Sequence, residues 1–128
     1  AHDAKKHKWL TGCSNAHILG LPEEILKRGF TLEVLSLYIP NLVESNELEK
    51  IARDLSAVDA AIPFTILAFF PEHQMKDFRR PDTKEMVEAY TKVKSAGLQN
   101  IRLGNLGVFI RSAEDRDYLM ANIDKRTL

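Results

Sequence analysis

The side chains best suited to chemistry fall in one polar stretch, Pro71-Glu72-His73-Gln74-Met75, followed by Lys76, Asp77, Arg79 and Arg80. An imidazole donates or accepts hydrogen bonds near neutral pH, and guanidinium groups can clamp carboxylate or phosphate. The stretch directly follows the apolar run Phe64-Thr65-Ile66-Leu67-Ala68-Phe69-Phe70. Such a run is the pattern of a strand covered on both faces. Residues at the carboxyl end of a parallel strand are where α/β folds bind ligands. The chemistry is nevertheless incomplete. No serine or cysteine sits in a motif pairing it with a base, so no catalytic residue is assigned. The single cysteine, Cys13, excludes an internal disulfide and a thiolate-only metal site within one chain. His2, Asp3 and His7 are metal-ligand types, but read as solvated residues, and no metal ligand is assigned. Lys76, Arg79 and Arg80 read as a solvated loop, with an anion clamp as the alternative.

The elements that must position this stretch follow from periodicity and punctuation. Ser14 is placed to cap a short helix over Asn15 to Leu19, and Cys13 and His17 read as residues without chemistry. Pro22-Glu23-Glu24 restarts a helix that Lys27, Arg28 and Gly29 end. Phe30 to Ile39 reads as a strand with Leu32, Val34 and Tyr38 on one face and Leu35, Leu37 and Ile39 on the other. Both faces are apolar, so both are expected to be covered. Pro40-Asn41 ends it. Ser45, with Glu49 near a capping-box position, opens a helix whose buried stripe is Leu48, Ile51, Ala52, Leu55 and Val58. Glu47, Glu49, Lys50, Arg53 and Asp54 read as its wet face.

Pro81-Asp82-Thr83 opens a further helix to Ala96, with Met86, Val87, Tyr90 and Val93 buried and Gly97 as its stop. Asn100 to Leu103 is a third strand, continued past Gly104-Asn105 by Leu106 to Ile110. Ser112 and Asp115 open a last helix, with Leu119 and Ile123 inward. Strands alternating with helices must join as parallel crossovers. The expected fold is therefore α/β: three parallel strands with flanking helices, an arc of a (β/α) barrel rather than a nucleotide-binding sheet, since no glycine-rich phosphate loop follows any strand.

Composition sets the outer limits. The 128 residues suffice for a single domain, 1–128, and 45% hydrophobic with 28% charged residues is a globular balance. Eighteen basic and 18 acidic residues cancel, so no global pull towards nucleic acid or anionic membrane is expected. No apolar run approaches the roughly 20 residues of a membrane span, and the start is no signal peptide. The expected compartment is cytoplasmic. The absence of an initiating methionine suggests a portion of something longer.

Three strings then carry a resemblance. Lys8-Trp9-Leu10-Thr11-Gly12-Cys13-Ser14-Asn15 resembles the T-G-x-S-N segment of pyruvate formate-lyase-activating enzymes. Glu33-Val34-Leu35-Ser36-Leu37-Tyr38-Ile39-Pro40 is similar to their strand ending in I-P-G. Phe69 to Met75, with Ala96-Gly97-Leu98 and Leu103-Gly104-Asn105, is similar to the later strand, loop, helix and strand of that family and its archaeal relatives. These are radical S-adenosylmethionine enzymes, built as partial (β/α) barrels (partial TIM barrels). The resemblance implies the carboxyl-terminal half of such a domain.

It further implies that His73 contacts S-adenosylmethionine, with Tyr38, Pro40 and Asn105 as further cofactor-binding residues at the same mouth. Structural roles are the alternatives: a buried strand end for Tyr38 and Pro40, a turn for Asn105, a solvated loop for His73. Asn41 stands where the family has glycine and can still adopt positive φ. Phe70 stands where some archaeal relatives have histidine. The family's three cluster cysteines, C-x-x-x-C-x-x-C, are not in this sequence, and a 4Fe–4S cluster needs its thiolates. S-adenosylmethionine and the 4Fe–4S cluster are thus expected of the parent protein, with neither bound by this chain alone, which should be inert. The implied partners are the amino-terminal half of the domain and a glycyl-radical enzyme as protein substrate. Self-association through an open sheet edge is also expected. The alternative is a non-catalytic α/β domain serving binding or assembly.

Overall fold

The computed structural model describes residues 1–128. Its centre is a three-stranded sheet of β1 (Val34–Tyr38), β2 (Phe64–Ala68) and β3 (Ile101–Gly104), in the order β1-β2-β3 with both pairs parallel. The crossovers are α3 (Ser45–Val58) and α4 (Thr83–Ser95), which pack on each other. Consecutive strand order with same-handed crossovers places both helices on one face. The fold is therefore α/β, an open parallel sheet flanked by helices.

Register fixes which side chains meet those helices. Phe64 lies between Val34 and Ile101, and Ile66 between Ser36 and Leu103, while Tyr38 partners Ala68. Phe64, Ile66, Ala68, Ile101 and Leu103 on this side are buried, together with Leu48, Ala52 and Leu55 of α3 and Met86, Ala89 and Val93 of α4. The opposite face carries Leu35, Leu37, Thr65, Leu67, Arg102 and Gly104. It is not covered: Leu35 is 56% and Leu37 43% exposed. The expectation that β1 is covered on both sides is corrected here. An apolar side chain records a preference for burial, and no helix packs over Leu35 and Leu37 to satisfy it on this side.

Several boundaries differ from expectation for identifiable reasons. The first helix, α1 (Ala4–Thr11), precedes Ser14. Asp3 caps it, its Oδ1 accepting from the Lys6 N–H at 2.9 Å, and Gly12 at φ +75° ends it. Ser14 instead accepts from the Ala16 N–H at 3.2 Å in a local turn, a side-chain bond that competes with helix. Asn15 to Leu19 makes only isolated turn bonds before Gly20. The next helix, α2 (Leu21–Lys27), forms as read. β1 begins at Val34, leaving Phe30 outside the ladder and exposed.

Ser45 does not cap α3. Its hydroxyl donates to Glu88 Oε1 and accepts from Lys92 Nζ, both at 3.0 Å, tying α3 to α4. Glu47 is buried, not on a wet face, and its Oε2 accepts from the Asp3 N–H at 2.9 Å. Leu106 to Ile110 is not a strand continuation. Leu106–Phe109 forms the short helix α5, and Thr83 Oγ1 donates to the Phe109 carbonyl at 2.8 Å. The last helix, α6 (Ala113–Asn122), is capped by Ser112, whose hydroxyl accepts from the Asp115 N–H at 3.0 Å.

Candidate functional site

Parallel pairing brings all three strand carboxyl ends to one edge of the sheet. Beyond β1 the chain turns through Ile39-Pro40-Asn41, closed by an antiparallel bridge between Ile39 and Val43. Asn41 sits at φ +65°, and its N–H donates to Glu44 Oε1 at 2.7 Å. Beyond β2, the Phe69 N–H donates to the Tyr38 carbonyl at 3.2 Å before the chain enters the loop. A 3-10 turn, His73–Met75, opens that loop with His73 at φ +49° and exposed. Beyond β3, Asn105 sits at φ +57° immediately before α5 without a side-chain bond to that helix, and its Nδ2 donates to the Ala68 carbonyl at 3.0 Å.

These are the three non-glycine residues of the molecule with positive φ, and one follows each strand. Left-handed backbone costs most L-residues about 1–2 kcal/mol and asparagine less, because its short polar side chain can bond locally. Strain of this kind gathers at ligand sites, where the surrounding structure holds it in place. The sequence-predicted residues divide across the edge. His73 and Asn105 lie on the two loops joined by the Asn105–Ala68 bond. Pro40 is fully buried under the β1 turn. Tyr38 is buried on the helix-facing side. Burial raises the Tyr38 phenol above its ordinary range, and the nearby Glu85, Glu44 and Glu88 carboxylates raise it further, so the group stays a neutral phenol.

A second layer supports the β2 loop. Asp82 and Glu85 form a capping box on α4, with the Glu85 N–H donating to Asp82 Oδ1 and the Asp82 N–H to Glu85 Oε2, each at 2.8 Å. Arg79 binds the same carboxylate through both terminal nitrogens, at 2.9 and 2.5 Å. That pair holds the Glu85 carboxyl below its usual range, Arg79 being the main cause. The Arg79 charge is thereby neutralised within the fold, leaving Lys76 and Arg80 of the basic patch without it. The signal was present in Asp82-x-x-Glu85, the spacing of a capping box. Phe78 of this loop meets Phe69 edge-on and Trp9 of α1 at an angle, with ring centroids 6.4 Å apart in both pairs. Sequence reasoning gave Trp9 no partner, because the contact joins segments far apart in the chain.

The donor set for iron is a separate question. Cys13, read as a residue without chemistry, is exposed. No group of three or more His, Cys, Asp or Glu side chains is placed to hold a metal ion. His2 Nε2 pairs instead with Asp54 at 2.8 Å, and His7 Nδ1 with the terminal amine at 3.3 Å. A 4Fe–4S cluster requires several thiolates at one point, and the residues of this chain do not fit one. No helix is long and apolar enough to cross a membrane.

No family model matches the sequence. Over 93 residues it is 33% identical to a protein of Methanocaldococcus jannaschii that bears, provisionally, the name glycyl-radical enzyme activating enzyme. The match takes in 70% of this chain and 36% of that protein, so the chain spans about a third of the relative's length. The chain is a distant, partial homologue of that protein.

Proposed function

We propose that these residues form the carboxyl-terminal part of a radical S-adenosylmethionine protein of the glycyl-radical-enzyme-activating type. In this reading the sheet is an arc of a partial (β/α) barrel, and the strand ends supply one wall of the cavity for S-adenosylmethionine and substrate. The observation that carries the reading is the left-handed residue in the connection that follows each strand: Asn41, His73 and Asn105. The relation to the Methanocaldococcus jannaschii protein supports the same family. His73 is the residue assigned to contact S-adenosylmethionine, its exposed imidazole offering one neutral donor or acceptor. Asn105 and Pro40 shape the rim, and Tyr38 backs it from the core. In this reading the cluster and its reductive chemistry would be supplied by the remainder of the parent protein, in a compartment we take to be cytoplasmic. The partners are the remainder of the barrel and a glycyl-radical enzyme as protein substrate.

The natural polypeptide should carry C-x-x-x-C-x-x-C on the amino-terminal side of Ala1. Reconstituted anaerobically with iron and sulfide, it should bind S-adenosylmethionine, and His73→Ala should weaken that binding about tenfold. Tenfold corresponds to about 1.4 kcal/mol, the loss of one hydrogen bond. His73 is exposed, so the variant should melt as the parent does. A polypeptide without the cysteine motif, or His73→Ala with unchanged affinity, overturns the reading. The first outcome favours a non-catalytic binding or assembly domain instead.

The uncovered face also has a consequence for the 128 residues alone. β1 has no neighbour on its outer edge and carries no charged side chain. Edges of this kind recruit other strands. Self-association by edge pairing or swapping is the expected behaviour, read by light scattering as a mass that rises with concentration. A constant monomer mass over a wide concentration range would exclude it.

A further inference from the structure

At the opposite end of the sheet, the amino-terminal end of β3 opens into a polar cavity of about 510 Å³. Lys94 from α4 and Arg126 from the 3-10 turn Lys125–Thr127 border it, and Arg102, on the open face of the sheet, borders it at the outer edge of β3. None of these three cations forms an ion pair within the molecule. The one carboxylate on the border, Asp124, has its Oδ1 engaged by the Arg126 N–H at 3.0 Å. The border therefore carries two positive charges in excess, in a protein whose total charge is zero.

The neighbours hold this arrangement in place. Lys94 Nζ lies 5.7 Å from the centre of the Tyr90 ring, a cation–π contact between two residues of the border. The Tyr90 hydroxyl accepts from the Asp124 N–H at 3.4 Å, which leaves its own proton free to donate. The Asn100 Nδ2 is bonded to the Ala61 carbonyl at 2.8 Å, fixing the floor. The 3-10 turn packs against β3, so the Arg126 wall is joined to the strand. Cations unpaired by the fold around one concavity focus field and attract multivalent anions, and guanidinium groups match phosphate oxygens in geometry as well as charge. The volume lies within the range of small-molecule sites and exceeds the needs of a monovalent ion.

We propose that this cavity binds a polyphosphate group, free or carried on a small molecule, through Lys94, Arg102, Arg126 and the Tyr90 hydroxyl. The site lies at the far end of the strands from His73 and does not depend on the family reading. Calorimetric titration with pyrophosphate at constant ionic strength tests it, alongside inorganic phosphate and adenosine triphosphate. Pyrophosphate should saturate one site and bind more tightly than phosphate, with affinity falling as salt rises. The double variant Lys94→Gln/Arg102→Gln should weaken it at least tenfold while unfolding at the same urea midpoint, because both residues are exposed. His73→Ala should leave it unchanged. Adenosine triphosphate binding beyond pyrophosphate would locate the phosphates on a nucleotide; equal binding would assign recognition to the phosphates alone. Heat that tracks ionic strength without saturating, or affinity untouched by the double variant, overturns the proposal.

Discussion

Phe64→Ala should remove about 3–5 kcal/mol of unfolding free energy, the usual cost of emptying a large buried aromatic site. Phe64 is fully buried on the middle strand, between Val34 and Ile101, and its N–H donates to the Asn100 carbonyl at 2.8 Å. Both crossover helices rest on this face, so the ring has no empty space into which neighbours could collapse. A domain of this size holds about 5–15 kcal/mol in total, and the loss would leave the variant marginal at room temperature. Urea unfolding followed by circular dichroism, at protein concentrations low enough to suppress association, gives the number. Leu35→Ala is the matched control from the other face. With that side chain more than half exposed, the cost should stay below about 1 kcal/mol. Equal costs for the two would mean that the face assigned as open is also covered.

That contrast also marks the limit of legibility. The alternation of β1 states which residues share a face, and Val34 with Tyr38 do lie together on the helix side, as Leu35 and Leu37 do on the other. Alternation cannot say whether an apolar face has a cover, because Leu35 carries the same preference for burial either way. Glu47 fails in the reverse direction. Its position among Glu49, Lys50 and Arg53 reads as solvated, yet the Asp3 N–H arrives from 44 residues away to occupy its carboxylate. Leu106 to Phe109 is apolar and partly β-branched, a strand signal. It coils because Asn105 takes a left-handed turn and Thr83 anchors the far carbonyl. Each of these outcomes was decided by a partner remote in sequence. Local signals held where they were self-contained: Pro22 in the first turn of α2, Gly29 and Gly97 after their helices, and Asn41 accepting the positive φ expected of it. At the site, the order of strand, proline and histidine made the edge readable. The positive φ of Asn105 and His73 was not read, because asparagine and histidine tolerate that region without requiring it.

Asn105 makes the turn that sequence offered as one of its two readings and also ties the end of β3 to β2, and substitutions separate these two contributions. Its φ of +57° penalises any other L-residue by about 1–2 kcal/mol, and its Nδ2 bond to the Ala68 carbonyl contributes about another 1 kcal/mol. Asn105→Ala loses both, for an expected cost of about 2–3 kcal/mol in urea unfolding. Asn105→Gly keeps the turn and loses only the tie, costing about 1 kcal/mol, with some added flexibility in the unfolded chain. If Asn105 serves only as a turn, S-adenosylmethionine affinity in the reconstituted natural polypeptide should follow the turn and survive in the glycine variant. If the amide holds the ends of β2 and β3 at a fixed spacing, affinity should fall in both variants, because a rim displaced by even 1 Å loses alignment with its ligand. The second outcome is expected. The carbonyl that Asn105 engages is the last of β2, and the β2 loop carrying His73 leaves from that point. A glycine variant with full affinity would reduce Asn105 to a turn and leave His73 to define the rim alone.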